Sequence, residues 1–272
     1  MNKTIYISDL DGTLLQRNQH ISKESCRILN DLSKRGLLFT YATARSLITA
    51  SKVTSGLDVK IPVIVYNGVF IIDSDGKRLV KNVFAEEDAE NIFCTLAELG
   101  INPLVYSIIG NEEKFSYIPE RLTRGMRAFL ATRNGDPRHR PVSKKNDMLM
   151  GDVFYFTCIN DTGSMGKAYE ELKKRYYCVY STDIYSGDQW LEILPVSATK
   201  ANAALQLKKF LNCSRLVVFG DGVNDIPMFK AADEGYAVKN ADYKLKEIAT
   251  GIIGGNDENS VAKFISEHFN VD

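Results

Sequence analysis

Two rhythms of apolar positions alternate over the first 70 residues. Thr4–Ser8 (TIYIS) is a short, nearly continuous apolar run, the pattern of a buried strand. Ser22 to Arg35 instead places Cys26, Ile28, Leu29 and Leu32 at helical spacing, and Gly36 follows as a stop. Leu37–Ala42 (LLFTYA) and Pro62–Tyr66 (PVIVY) read as further strands, with a short helix at Ser46–Val53 between them. Near-continuous apolar strands alternating with helices predict a parallel sheet covered on both faces.

The rhythm returns near the C-terminus. Helices are predicted at Lys200–Leu211, Asp225–Ala232 and Tyr243–Ala249, and strands at Arg215–Phe219 (RLVVF) and Tyr236–Val238. The middle of the chain reads differently. Phe70–Asp73 and Arg78–Lys81 flank Ser74-Asp75-Gly76-Lys77, a hairpin signal. A helix at Glu86–Leu99, stopped by Gly100, precedes strands at Leu104–Ile108 and Phe115–Ile118. A basic helix near Leu122–Thr132, a strand at Val153–Ile159 and a helix near Gly166–Arg175 come next. Strands at Tyr176–Ser181 and Trp190–Leu194 then join through Ser186-Gly187-Asp188. Grouped strands and helices of this kind predict an α+β unit. The expectation is a discontinuous α/β core, residues 1–82 plus 189–272, with an inserted α+β domain at 83–188.

Composition narrows the function classes. The 272 residues carry 34 Lys+Arg against 34 Asp+Glu, with 44% apolar and 25% charged residues. Zero net charge argues against a general nucleic-acid binder or a polybasic membrane-surface protein, both of which rely on positive charge. The five cysteines (Cys26, Cys94, Cys158, Cys178, Cys213) form no C-x-x-C pair and read as small buried side chains in a reducing compartment. Asp9 and Asp11 interrupt the N-terminal segment before any signal-peptide apolar region could form, and no stretch approaches a membrane span. The expected location is the cytoplasm.

Candidate chemistry lies at predicted strand ends. Asp9-Leu10-Asp11-Gly12-Thr13 directly follows the first strand, and in extended chain residues i and i+2 project from one side. Asp9 and Asp11 are therefore expected to present two carboxylates together, where open α/β sheets place ligands. Two close carboxylates require a shared proton or a cation. Gly220-Asp221-Gly222-Val223-Asn224-Asp225 follows another apolar strand, so Asp221 and Asp225 could join the first pair around a hard cation such as Mg²⁺. Its strand–turn–helix setting is not that of a calcium loop. Thr43 ends the second core strand in Ala42-Thr43-Ala44-Arg45. Lys200 opens a predicted helix, an unfavourable place for a cation, which points to a task such as holding phosphate.

Taken together, these motifs resemble the haloacid dehalogenase-like (HAD) superfamily, specifically its Cof-type (type IIB) phosphatases. DLDGT, Thr43, Lys200 and GDGVND match the four family motifs in order. Tyr66-Asn67-Gly68, Leu191-Glu192-Ile193, Asn240-Ala241 and the stretch from Asn256 to Ala262 also match. The resemblance implies a Rossmann-like core, and for the insert, the large cap of this branch. It also implies Asp9 as nucleophile on phosphorus and Asp11 as acid and then base. Thr43 and Lys200 would hold the phosphoryl group, with Ala44, Asn67 and Asn224 also lining the phosphate or substrate site. Mg²⁺ would be held by Asp9, the Asp11 main-chain carbonyl and Asp221, with Asp225 and Asn224 in or beside that shell. The implied partner is a small phosphorylated metabolite, such as a sugar phosphate. A phosphomutase or phosphotransferase using the same aspartyl-phosphate and a non-catalytic phospho-ligand sensor are the rival readings. Oligomeric state is left open.

The chain departs from the family at three places: Ala44, Ser197 and Ala201 stand where glycine is usual. Elsewhere, Trp190 reads as a packing residue with a substrate-facing aromatic as the alternative, Glu192 as a hinge or core hydrogen-bonding residue, and His20, His139 and His268 as solvated, His139 alone lying where the cap could meet substrate. Arg121–Lys145 contains eight Lys/Arg and one acid, Asp136. It reads either as a solvated face or, through residues such as Arg138 and Arg140, as an attractor of anionic substrate.

Overall fold

The computed structural model describes residues 3–160, 163–182 and 187–269. The chain divides into two units, Met1–Lys81 with Ala198–Asp272, and Asn82–Ser197.

The first half of the first unit runs β1 (Thr4–Ser8), α1 (Lys23–Lys34), β2 (Leu38–Tyr41), α2 (Leu47–Val53), β3 (Val63–Val65), β4 (Phe70–Ile72) and β5 (Arg78–Lys81). The insert supplies α3 (Glu86–Glu98), β6 (Leu104–Ile109), β7 (Glu112–Tyr117), α4 (Arg124–Ala131), β8 (His139–Pro141), β9 (Asp152–Asn160), α5 (Ser164–Leu172), β10 (Tyr177–Thr182) and β11 (Gln189–Leu194). The chain then returns through α6 (Lys200–Phe210), β12 (Arg215–Gly220), α7 (Ile226–Ala231), β13 (Glu234–Val238), α8 (Tyr243–Ile248), β14 (Gly251–Ile253) and α9 (Ser260–His268).

The core sheet is parallel, in the order β14-β13-β12-β1-β2. A parallel bridge between Ala42 and Ile64 sets β3 beside β2. Counting only these six strands in chain order, the sequence across the sheet is 3-2-1-4-5-6, the doubly wound arrangement. Ile5, Ile7, Val218 and Phe219 at its centre are fully buried, each such side chain contributing about 1.5–3 kcal/mol. The helices begin where caps stand: the Ser22, Ser46 and Thr199 side chains accept N–H bonds from Ser25, Thr49 and Asn202. β3, β4 and β5 also form an antiparallel sheet. The α/β parallel-sheet expectation holds. The short strands β8 and β14 and helix α9 have no counterpart in the sequence reading.

The second unit is a six-stranded sheet, β10-β11-β9-β6-β7-β8, antiparallel except where β7 meets β8. Its core includes Ile92 and Leu96 of α3, Met165 and Leu172 of α5, and Val105, Phe156 and Leu191 of the sheet. The sequence pattern places the return to the core at residue 189. In the structure β11 pairs with both β9 and β10, so residues 189–197 group with the second unit. Ser186 of the expected turn lies outside the described residues. Trp190 packs edge-on against Phe129, with ring centroids 5.5 Å apart. His139 is not solvated: it is half-buried against Phe115 and hydrogen-bonded to Tyr117 and the Arg133 carbonyl.

Two arginines of the basic segment are committed inside this unit. Arg138 is 4% exposed, bonds both Asp136 oxygens and lies 3.8 Å from Glu113. Arg140 donates to the Ser116 hydroxyl and the Asp147 carbonyl. Their charges are met by internal acceptors, which corrects the picture of both as attractors of substrate.

Candidate active site

The strand order reverses between β1 and β12, and the loops leaving their C-terminal ends diverge there. That is where an open α/β sheet forms its crevice. Asp9, the first residue past β1, is 5% exposed and donates its backbone N–H to Phe219 at the end of β12 (2.9 Å). The chain then makes one wide turn over Leu10–Leu14, closed by an N–H bond from Leu15 to the Leu10 carbonyl (2.8 Å). Gly12 turns with φ +76°, and a Cβ there would sit 2.2 Å from Asp221 Oδ2. Glycine is required twice over, by backbone conformation and by close approach. The next residue, Thr13, donates its hydroxyl to Asp221 Oδ1 at 3.0 Å.

On the β12 side, Asp225 is fully buried, and its Oδ2 accepts the N–H groups of Asp221 and Gly222 at 3.1 Å each. The turn thereby aims its own carboxylate back at the strand end. Lys200 opens α6 and is 3% exposed. Its ammonium lies between two acids, 2.5 Å from Asp9 Oδ1 and 2.8 Å from Asp225 Oδ1. The first-turn lysine noted in the sequence thus serves the strand ends rather than its own helix.

Asp9, Asp221 and Asp225 each offer a carboxylate oxygen within 4.8 Å of the others. Three acids therefore face one ammonium, and the imbalance is visible in their proton affinities. Burial drives Asp9 well above the usual carboxylate range; Lys200 opposes this, and Asp225 and Asp221 add to it. Burial and Asp225 push Asp221 up to about 6. Burial alone would lower Lys200, but the Asp225 and Asp9 carboxylates outweigh it and keep the ammonium charged. A hard divalent cation fits this donor set, which is all oxygen and carries excess negative charge.

Asp11 behaves differently from the expectation of two carboxylates presented together. Its side chain is half-exposed and is gripped in bidentate fashion by Arg45, Nε to Oδ2 at 2.8 Å and Nη2 to Oδ1 at 2.5 Å. Because the chain turns at Gly12, Asp9 and Asp11 are each engaged by a separate cation, Lys200 and Arg45.

Thr43 is fully buried. Its N–H donates to Ile64 and its carbonyl accepts from Asn67 N–H (2.8 Å), while its hydroxyl accepts from Arg45 N–H (3.1 Å). Tyr66, Asn67 and Gly68 all have positive φ, at 51°, 53° and 101°. A Cβ on Gly68 would lie 2.3 Å from the Thr199 carbonyl, so this strained turn lies directly against the start of α6. Asn67 is 2% exposed, and its Oδ1 has no hydrogen-bond partner among the described residues. Asn224 folds back over Gly222, where a Cβ would lie 2.4 Å from its Oδ1. Ala44 is exposed and Ala201 lies inside α6. Neither they nor Ser197 takes a positive φ, so none of the three replacements carries left-handed backbone strain.

Two contributors to this geometry, Arg45 and Thr13, carry no assigned role in the sequence, although Thr13 closes the DLDGT motif and Arg45 is a cation two residues beyond the strand-terminal Thr43. Glu192, in the second unit, has its carboxyl raised by burial, with Tyr155 opposing the shift.

A family profile described as haloacid dehalogenase-like hydrolase matches residues 6–265. The chain is 28% identical to the 5-amino-6-(5-phospho-D-ribitylamino)uracil phosphatase YwtE of Bacillus subtilis, covering 95% of this chain and 96% of that one. It is 24% identical to the HMP-PP phosphatase of Serratia proteamaculans, over 94% and 92% of the two chains. Among solved structures, TM0651 from Thermotoga maritima superposes with a TM-score of 0.79 at 23% identity, covering 100% of this chain and 99% of that one.

Proposed function

This chain belongs to the haloacid dehalogenase-like hydrolases, as a phosphatase with the fold of the Cof-type branch, and from that premise we propose that it is a Mg²⁺-dependent hydrolase of small phosphomonoesters acting through an aspartyl-phosphate. The observation that carries this reading is the buried Lys200 ammonium between Asp9 and Asp225, with Asp221 alongside.

Asp9 attacks phosphorus: its oxygen forms the new P–O bond as the ester P–O bond breaks. Asp11, taking up a solvent proton as it leaves the Arg45 ion pair for the substrate, gives that proton to the leaving oxygen and then takes one from the water that cleaves the acyl-phosphate. Dividing the hydrolysis this way replaces one difficult displacement by two easier ones. Lys200 has spent two of its three N–H donors on Asp9 and Asp225, and the third is available to a phosphoryl oxygen. The Thr43 hydroxyl already accepts from Arg45 N–H, which leaves its proton for the same group. Arg45 fixes the direction of the Asp11 carboxylate. Mg²⁺ held by Asp9, Asp221, Asp225 and the Asp11 carbonyl would neutralise phosphoryl charge and keep Asp9 ionised.

The second unit serves in this reading as the cap that selects the substrate. A phosphomonoester on a polyol or sugar chain is the favoured class, because the YwtE relative is named for a phosphoribityl compound. Five free thiols suit a reducing cytoplasm, and no described helix is long and apolar enough to cross a membrane. The test is phosphate release from a panel of sugar and polyol phosphates with and without Mg²⁺. Asp9→Asn is expected to lower kcat by roughly 10³-fold or more. Undiminished turnover in that variant would remove Asp9 as nucleophile, and phosphate appearing on a second sugar would replace hydrolysis by phosphotransfer.

A further inference from the structure

We propose that Asn240 and Asn256 form a two-asparagine clamp that positions the turn carrying Asp11, an inference that rests on the phosphatase reading above. The turn is irregular. Within Leu10–Leu14, Asp11 and Gly12 leave helical geometry, and a long-span N–H bond from Leu15 to Leu10 closes it. Carbonyls facing outward from such a turn need external donors to hold a fixed direction.

Both donors come from the C-terminal part of the core unit. Asn240, just past β13, donates its Nδ2 to the Gly12 carbonyl at 2.7 Å. Asn256, just before α9, donates its Nδ2 to the Leu15 carbonyl at 2.8 Å, in a buried bond. The two are joined directly, because the Asn256 backbone N–H donates to Asn240 Oδ1 at 3.0 Å. Asn240 thus bridges an N–H on one side and a C=O on the other. That requirement fixes the orientation of its amide and excludes the isosteric acid, which has no donor for Gly12.

The Gly12–Thr13 peptide is consequently held on both sides. Asn240 takes its carbonyl, and the Thr13 hydroxyl is anchored to Asp221 Oδ1. Asp11 immediately precedes this peptide, so its carbonyl and the swing of its side chain toward Arg45 depend on where the clamp sets Gly12. Neither asparagine contacts the Asp9–Lys200–Asp225 group in any bond described above. They act through the turn and are positioning residues.

The variants are Asn240→Ala, Asn240→Asp and Asn256→Ala, in the full chain. Asn240 is exposed, so its replacement threatens folding least. Three readouts are taken: kcat and KM with p-nitrophenyl phosphate at saturating Mg²⁺, the unfolding midpoint, and hydrogen exchange of the Leu15 amide. Expected for Asn240→Ala is a kcat fall of about tenfold or more, with KM changed less than threefold, on a fold whose midpoint moves little. Leu15 exchange should accelerate at least tenfold, and Asn240→Asp should match or exceed the alanine variant in both respects. Wild-type kcat and wild-type Leu15 exchange in both Asn240 variants would overturn the clamp. A wild-type protein without Mg²⁺-dependent turnover would instead remove the phosphatase reading, and Leu15 exchange would still decide whether the clamp holds the turn.

Discussion

Gly12→Ala is the sharpest test of how the loops after β1 and β12 fit together. Gly36→Ala is its control, because both glycines have positive φ but only one is crowded. At Gly36, with φ +98°, an added Cβ meets nothing within 4 Å. The substitution there costs only the left-handed conformation, about 1–2 kcal/mol. At Gly12, with φ +76°, the added Cβ would lie 2.2 Å from Asp221 Oδ2 and 2.8 Å from its Cγ. Asp221 must move, and its 3.0 Å bond from Thr13 is lost. A hydrogen bond to a charged group is worth roughly 1.5–3 kcal/mol, so Gly12→Ala should cost about 3–5 kcal/mol. The unfolded-state gain from alanine, about 0.4–1 kcal/mol, is common to both variants and cancels. At roughly 2–4 °C per kcal/mol, Gly12→Ala should melt about 5–10 °C below Gly36→Ala. Because the displaced residue is one of the three clustered acids, calorimetric titration should also show Mg²⁺ binding weakened at least tenfold in Gly12→Ala and unchanged in Gly36→Ala. Equal melting and equal Mg²⁺ affinity in the two variants would refute the close packing of the loops.

Two further outcomes follow from the charges. Asp221 is raised from 3.8 to about 6 in the fold, so between those values the native state binds more protons than the unfolded chain. Without metal, this group's stabilisation is complete below about pH 4 and is lost as pH rises through about 6, on the order of 2 kcal/mol after screening. Mg²⁺ favours the ionised form, so the midpoint gain on adding Mg²⁺ should grow from pH 4 to pH 6 and then level off; a gain independent of pH contradicts the assignment. In the second unit, Arg138→Ala leaves Asp136 and Glu113 without their buried partner and should destabilise by about 3 kcal/mol. Reversing the exposed Arg121 and Lys144 should leave the midpoint within about 1 °C, so the salt dependence of kcat/KM in that pair reads any attraction of anionic substrate cleanly.

Asp9, Lys200, Asp221 and Asp225 were legible as candidates because local signals mark them: acids immediately after apolar strands, glycines beside them, and a cation at a helix start. Such signals depend on hydrophobic period and on steric rules that act within a few residues. The doubly wound sheet was legible for the same reason, since strand–helix alternation restricts the connections available. Strands β8 and β14, three residues each, were not, because so short a segment is defined by its pairing partner and not by its own pattern.

What only the tertiary structure decided is which group meets which. Arg45 reaches Asp11 across 34 residues, Asn240 reaches Gly12 across 228, and Asn256 reaches Leu15 across 241. Periodicity carries no information at such separations. The first follows from the placement of β2 beside β1, and the other two from β12 beside β1, which brings the last part of the chain against the first turn. The same folding sent Asp9 and Asp11 to different cations. The sequence by itself determined that a set of acids and a lysine would stand at the strand ends. Packing determined their directions, because a side chain's orientation is set by whichever donors and acceptors the fold delivers to it.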